Sequence, residues 1–163
     1  MNGIINVYKE KGYTSHDVVA KLRGILKQKK IGHTGTLDPQ AEGVLPVCIG
    51  NATKLCDLLT DKTKEYEAVL LLGVTTDTQD TTGAVLSEKT VQVEADKLRA
   101  IMEGFVGKSR QIPPMYSALK VNGKKLYELA REGKEVERKP RDIEIFSLDI
   151  LEMQLPRVRF RVH

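Results

Sequence analysis

The sequence predicts an α+β protein: a mixed, largely antiparallel sheet with helices packed against it. Three observations carry this reading. Runs rich in β-branched and aliphatic residues recur at 4–8, 44–49, 65–72, 143–151 and 158–162, each of strand length. Two other stretches, one following Thr14 and one from Glu94 to Glu103, place apolar residues at helical spacing. Asn122-Gly123 is the dipeptide that tight antiparallel hairpins favour, because both turn residues must tolerate positive φ.

The elements follow in order. Ile4–Tyr8 is a short strand, closed by the polar run Lys9 to Gly12. Thr14 or Ser15 caps the first helix, with Asp17 in its first turn. Val18, Val19, Leu22, Ile25 and Leu26 form its apolar face; Lys21, Arg23, Lys27, Lys29 and Lys30 make the other side basic. A lone basic face is commonly just solvated, but this one leads directly into a glycine-rich loop. Val44–Ile49 reads as a buried strand, followed by a short helix to Leu59 with Asn51 as its cap. Glu65–Leu72 reads as a central strand.

Residues 75–83 form a polar loop between strands, whose Asp77 and Asp80 lack calcium-loop spacing and are read as structural. The helix at 94–103 turns Leu98, Ile101 and Met102 inward and ends at Gly104 or Gly107. Ile112-Pro113-Pro114 interrupts regular structure. Tyr116–Val121 then alternates as a strand into the Asn122-Gly123 turn, and Lys124–Arg131 forms a short helix stopped at Gly133. In the last strand Val158, Phe160 and Val162 alternate with Arg157, Arg159 and Arg161, giving one apolar and one basic face.

At 163 residues, 40% hydrophobic and 29% charged, the chain suits one domain with a real core. The formal charge of +4 permits a polyanionic partner without requiring one. No apolar run reaches the length of a membrane span and the N-terminus lacks a signal-peptide pattern, so a cytoplasmic protein is expected. Cys48 and Cys56 have neither CxxC spacing nor a nearby histidine, which argues for two reduced thiols and no metal site.

The chemistry concentrates at 31–45. Three glycines let the backbone turn sharply, and Asp38 precedes Pro39, which biases it away from helix. A carboxylate thus stands on a stiffened loop with His33 upstream and an apolar strand downstream. On the residues alone this is a candidate site, and a plain Asp-Pro turn is the alternative. A phosphate cradle fits poorly, because no Gly-Lys-Ser/Thr follows and no helix opens directly after the loop.

Gly32-His33-Thr34-Gly35-Thr36-Leu37-Asp38-Pro39, continuing through Ala41, Gly43-Val44-Leu45-Pro46, resembles the signature loop of the TruB family of pseudouridine synthases. Four further blocks resemble that family in the same order: Lys9 with Gly12-x-Thr14-Ser15; Lys64-x-Tyr66; Gly73-x-x-Thr76-Asp77-Thr78-x-Asp80; and Gln111-x-Pro113-x-Met115-Tyr116-Ser117-Ala118-Leu119-Lys120 with its continuation to Gly133.

The resemblance implies a pseudouridine synthase fold and conversion of uridine-55 to pseudouridine in the T-loop of transfer RNA. Breaking the uracil–ribose bond and rejoining the base through carbon oxidises nothing and adds nothing, so no cofactor or metal is needed. By resemblance Asp38 is the catalytic carboxylate, acting on ribose or base or as a proton acceptor. By the same resemblance His33 fills the space left when the stacked uridine is extruded, and Tyr66 packs on the flipped uracil. The alternatives are a histidine hydrogen-bonded within its own loop and a tyrosine that is simply core or interface. Lys9 and Lys64 order loops or contact phosphate. Tyr116 and Lys120 contact substrate from a thumb-like insertion at about 111–139 that clamps the T-arm. The expected partner is the transfer RNA T-stem-loop, with no membrane and no obligate protein partner. The thumb sequence argues against the dyskerin type, which works in a guide-RNA particle.

Two departures from the family stand out. Lys9-Glu10 replaces the usual Lys-Pro. Family members also continue beyond the equivalent of His163 into a strand whose arginine pairs with the catalytic aspartate, and then into a C-terminal PUA domain. The chain is therefore expected to be the N-terminal portion of a catalytic domain, with little or no activity alone. A T-arm-binding module without chemistry is the competing reading.

Overall fold

The computed structural model describes residues 1–60, 63–117, 119–121 and 123–163. They form two compact units, Met1–Thr63 and Lys64–His163.

The first unit comprises β1 (Gly3–Lys9), α1 (Ser15–Leu26), β2 (Ile31–His33) and β3 (Gly43–Ile49), then a 3-10 turn over Gly50–Leu55 and α2 (Cys56–Thr60). The strands form an antiparallel sheet in the order β1-β3-β2. In the central strand Leu45, Val47 and Ile49 are buried with Val18 and Val19 of α1 and Ile31 of β2. Burying each such side chain is worth about 1.5–3 kcal/mol. Ile5, Val7, Leu22, Leu26 and Leu37 complete this core.

Helix α1 starts at Thr14, whose hydroxyl accepts the Asp17 N–H at 3.0 Å while Asp17 Oδ2 accepts the Thr14 N–H at 2.9 Å. This reciprocal capping box satisfies two backbone donors that no helical carbonyl can reach. Two expectations need correction. Ile25 is 66% exposed, because it lies about 100° around the helix from Leu26 and misses the stripe facing the sheet. Asn51 caps nothing: the 3-10 turn has no side-chain cap, and the Asn51 N–H instead donates to Asn2 Oδ1 at 2.8 Å.

The second unit contains β4 (Tyr66–Leu71), β5 (Val74–Thr76), β6 (Val85–Glu88), α3 (Ala95–Glu103), β7 (Gly107–Gln111), β8 (Lys120–Val121), β9 (Lys124–Lys125), α4 (Leu126–Arg131), β10 (Arg141–Ile145), β11 (Leu148–Gln154) and β12 (Arg157–Val162). The strands make one three-stranded sheet, β11-β12-β4, and the pairs β10-β7, β5-β6 and β8-β9. Every pairing among the described residues, in both units, is antiparallel. Val158 is fully buried against Leu98 and Met102 of α3, with Phe160, Ile150 and Met153 around them.

Several boundaries differ from the sequence reading. The central strand is β12, while β4 lies at the end of the sheet order with Val69 59% exposed. Ile101 is 49% exposed, since α3 buries only the Leu98–Met102 stripe. The run at 143–151 divides at Phe146 into β10 and β11. Strand β7 went unrecognised because Gly107–Gln111 carries no apolar alternation; it exists through pairing with β10 along its whole length. The Asn122 half of the expected hairpin turn lies outside the described residues, as does Ala118 within the Tyr116–Val121 run. The arginines of β12 are paired in part: Arg159 bonds Glu67, and Arg161 Nε lies 3.7 Å from Glu65. Such exposed pairs contribute about 0–1 kcal/mol each.

The loop between β5 and β6 is held by its own aspartates. Asp80 Oδ1 accepts from the Thr78 hydroxyl, the Thr82 hydroxyl and the Thr82 N–H at 2.6, 2.6 and 2.8 Å. Asp77 Oδ1 accepts the Ala84 N–H at 2.8 Å. These hydroxyl bonds hold the Asp80 carboxyl below its ordinary range, as expected for a carboxylate saturated with donors.

Candidate functional site

The Asp38 loop connects β2 to β3 and is tied down at both ends and in the middle. The Thr34 N–H donates to Pro46 O at 3.1 Å, and Thr34 itself is buried. The Leu37 N–H donates to Ser15 Oγ at 2.9 Å, from a serine that is 2% exposed. The Gly12 N–H donates to Pro39 O at 2.8 Å, and Ala41 N–H to Asp38 O at 3.0 Å. An irregular segment is thus fixed by bonds drawn from β3, α1 and the turn after β1, which is how a loop can hold a side chain in a defined position.

Lys9 supports that turn. It is fully buried, and its ammonium donates to Tyr13 O at 2.8 Å and Glu10 O at 3.1 Å. Burying a cation is tolerated only where its donors are satisfied. The ammonium is committed to these two carbonyls and shielded from solvent, which ties the turn after β1 together.

Among the described residues of this unit no hydrogen bond or ion pair engages the Asp38 carboxylate, and the residue is exposed. The loop therefore presents an exposed acceptor. His33 is half-buried at the end of β2. Burial holds its imidazole below the usual histidine range, the Gly35 backbone opposing and His16 reinforcing the shift. The neutral ring is thus favoured at neutral pH, and its buried Nδ1 has no hydrogen-bond partner among the described residues.

The structure places Lys9, His33 and Asp38 in the first unit, and Lys64, Tyr66, Tyr116 and Lys120 in the second. Tyr66 opens β4 opposite Val162 and is 45% exposed. Tyr116 and Lys120 belong to a segment that closes on itself: Arg138 Nη1 donates to Pro113 O at 3.1 Å, while Leu126 and Leu129 are buried. Its cations are partly committed, since Lys124 and Lys134 both pair with Glu132 at 3.6 and 2.8 Å.

Ser15 and Thr34 hold the loop in place, a role missed in the sequence. Ser15 was visible only as an alternative cap, because its contact with Leu37 spans 22 positions. Cys48 is buried and Cys56 half-buried. Burial, with the Cys48 thiol beside it, pushes the Cys56 thiol up to about 11, so Cys56 is not poised as a nucleophile. Among the described residues no cluster of three or more histidine, cysteine or acidic side chains could hold a metal, and no helix is long and apolar enough to cross a membrane.

Residues 23–163 match the profile described as TruB family pseudouridylate synthase (N terminal domain), and the chain belongs to that family. It is 71% identical over 151 residues to a tRNA pseudouridine synthase B of Lachnoclostridium phytofermentans, covering 93% of this chain and 49% of the relative. It is 56% identical over 162 residues to the protein of the same name in Clostridium novyi, covering 99% of this chain and 56% of that one. The chain thus spans about half the length of the curated relatives it matches. Among solved structures, a chain from the crystal structure of a Cbf5-Nop10-Gar1 complex aligns with a TM-score of 0.71 at 32% identity, over 98% of this chain and 38% of that one. A chain of an H/ACA RNP bound to a substrate RNA containing 2'-deoxyuridine aligns with a TM-score of 0.68 at 29% identity, over 98% and 37%.

Proposed function

We propose that the protein containing this chain isomerises uridine-55 to pseudouridine in the T-loop of cytoplasmic transfer RNA, with Asp38 as the essential carboxylate. The observation that carries this is the braced Asp38 loop, which offers an exposed carboxylate from a fixed backbone. The relatives named tRNA pseudouridine synthase B support the choice of substrate. In the reaction the bond from ribose C1' to uracil N1 breaks, the base turns, and C1' bonds to C5. The C5 hydrogen leaves to water and N1 gains a proton, so atoms and electrons balance without a further reactant.

The uridine must leave its stack first, at a cost of a few kcal/mol. In this proposal His33 occupies the vacated space, Tyr66 stacks on the base, and Lys64 contacts backbone phosphate. Tyr116 and Lys120 hold the T-arm from the insertion at about 111–139. The Asp38 carboxylate, in this proposal, needs an ion-pair partner to ready it for attack, and among the described residues of its own unit no salt bridge supplies one. Residues 1–163 alone are accordingly expected to release little tritium from transfer RNA carrying 5-tritiated uridine. Turnover by this polypeptide at the rate of a full-length relative would sink that expectation.

A further inference from the structure

The first unit carries an open cavity of about 480 Å³ that the Asp38 chemistry does not use. His16 and Arg23 line it from α1, Lys29 and Lys30 from the connection to β2, and His33 from β2. Five nitrogen-bearing side chains thus converge, and no carboxylate lines the cavity among the described residues. The arrangement is more selective than the basic face read from the sequence. Lys21 and Lys27 belong to that face but lie outside the lining; the Lys21 ammonium sits 5.2 Å from the Tyr13 ring centroid, and Lys27 ends the helix at φ 51°.

A further feature favours a bound anion over a solvated patch. Arg23 is anchored by one hydrogen bond, Nη2 to Ile31 O at 3.2 Å, which holds its guanidinium at the cavity while leaving donors uncommitted. Gly32 also lines the cavity, and a Cβ there would lie 3.2 Å from Cys56 Sγ. An arginine fork beside two lysine point charges is suited to phosphate oxygens.

We infer that this cavity binds a backbone phosphate of RNA, through Lys29, Lys30 and Arg23. The RNA source rests on the proposed function; the phosphate chemistry does not.

The test measures binding of the full chain to a labelled T-arm hairpin across a salt series. The variant Lys29→Gln/Lys30→Gln is compared with Lys11→Gln/Lys97→Gln, which removes the same charge at exposed positions outside the cavity. The expected result is that the cavity variant alone lowers the slope of log affinity against log salt by about 1–2. Its circular dichroism should be unchanged, and the hairpin-induced NMR shift of the His16 imidazole should be lost. Equal slopes in all three proteins would overturn the inference. So would imidazole shifts with inorganic phosphate alone and no slope change, which would make the cavity a free-anion site. An unrelated hairpin of equal length separates the two claims. If wild type binds both hairpins equally, the T-arm reading fails; a slope loss confined to the cavity variant would still uphold the phosphate site.

Discussion

Asp38→Asn, placed in a chimera joining residues 1–163 to the remaining half of the Lachnoclostridium relative, is expected to cut pseudouridine formation by a factor on the order of 10²–10⁴ or more. The substitution keeps the shape of the side chain and removes the charge that the chemistry requires. Four hydrogen bonds from backbone N–H groups brace the loop from Thr34 to Ala41, and none of them uses the Asp38 side chain. Folding and affinity for transfer RNA should therefore stay close to those of the unmodified chimera. Rate and binding are measured separately by single-turnover kinetics and filter binding. Full activity in the asparagine variant would remove Asp38 from the chemistry, and parallel loss of binding would make it a structural residue.

The second large effect is on stability. Lys9→Met keeps most of the buried volume but leaves Tyr13 O and Glu10 O without their donor. The two carbonyls are part-buried, so water replaces part of what is lost and a cost of about 1–3 kcal/mol is expected for the pair. That is a large fraction of the total stability of a folded domain, which is typically about 5–15 kcal/mol. Urea unfolding of the variant should show an earlier midpoint. Because Gly12 in the same turn bonds Pro39, the Asp38 loop should also lose amide-exchange protection before the rest of the sheet does. An unchanged midpoint would show that water replaces the ammonium at no cost.

How far the sequence revealed these features depends on the range of the interactions involved. Strand β3 was legible because Val44–Ile49 is continuously apolar. The loop was legible as a loop because its glycines and Pro39 act locally on the backbone. Its bracing was not, since Ser15 and Leu37 meet only after α1 folds onto the sheet. Lysine composition signals surface, so nothing in Lys9 itself announced a buried ammonium. Strand β4 shows the opposite failure. Its aliphatic run reads as a strand buried on both faces, yet Val69 is largely exposed and the neighbouring arginines of β12 draw Glu65 and Glu67 to that strand instead. Strand β7 is polar throughout, and only its partner β10 defines it.

The candidate site divides in the same way. Composition and spacing isolated Asp38 and His33 as a carboxylate and an imidazole on one stiff loop. The roles of Tyr66, Lys64, Tyr116 and Lys120 came from resemblance alone, because a tyrosine at the start of a strand or a lysine in a basic hairpin has an ordinary structural use. The cavity at Arg23, Lys29 and Lys30 needed coordinates, because convergence of side chains from a helix, a turn and a strand leaves no periodic trace.

The most direct measurement is tritium release by the chimera from two transfer RNAs, one carrying 5-tritiated uridine only at position 55 and one carrying it at every other uridine. Stoichiometric release from the first and none from the second is the expected result. Release from the second with position 55 silent would contradict the assignment of the Asp38 loop to uridine-55.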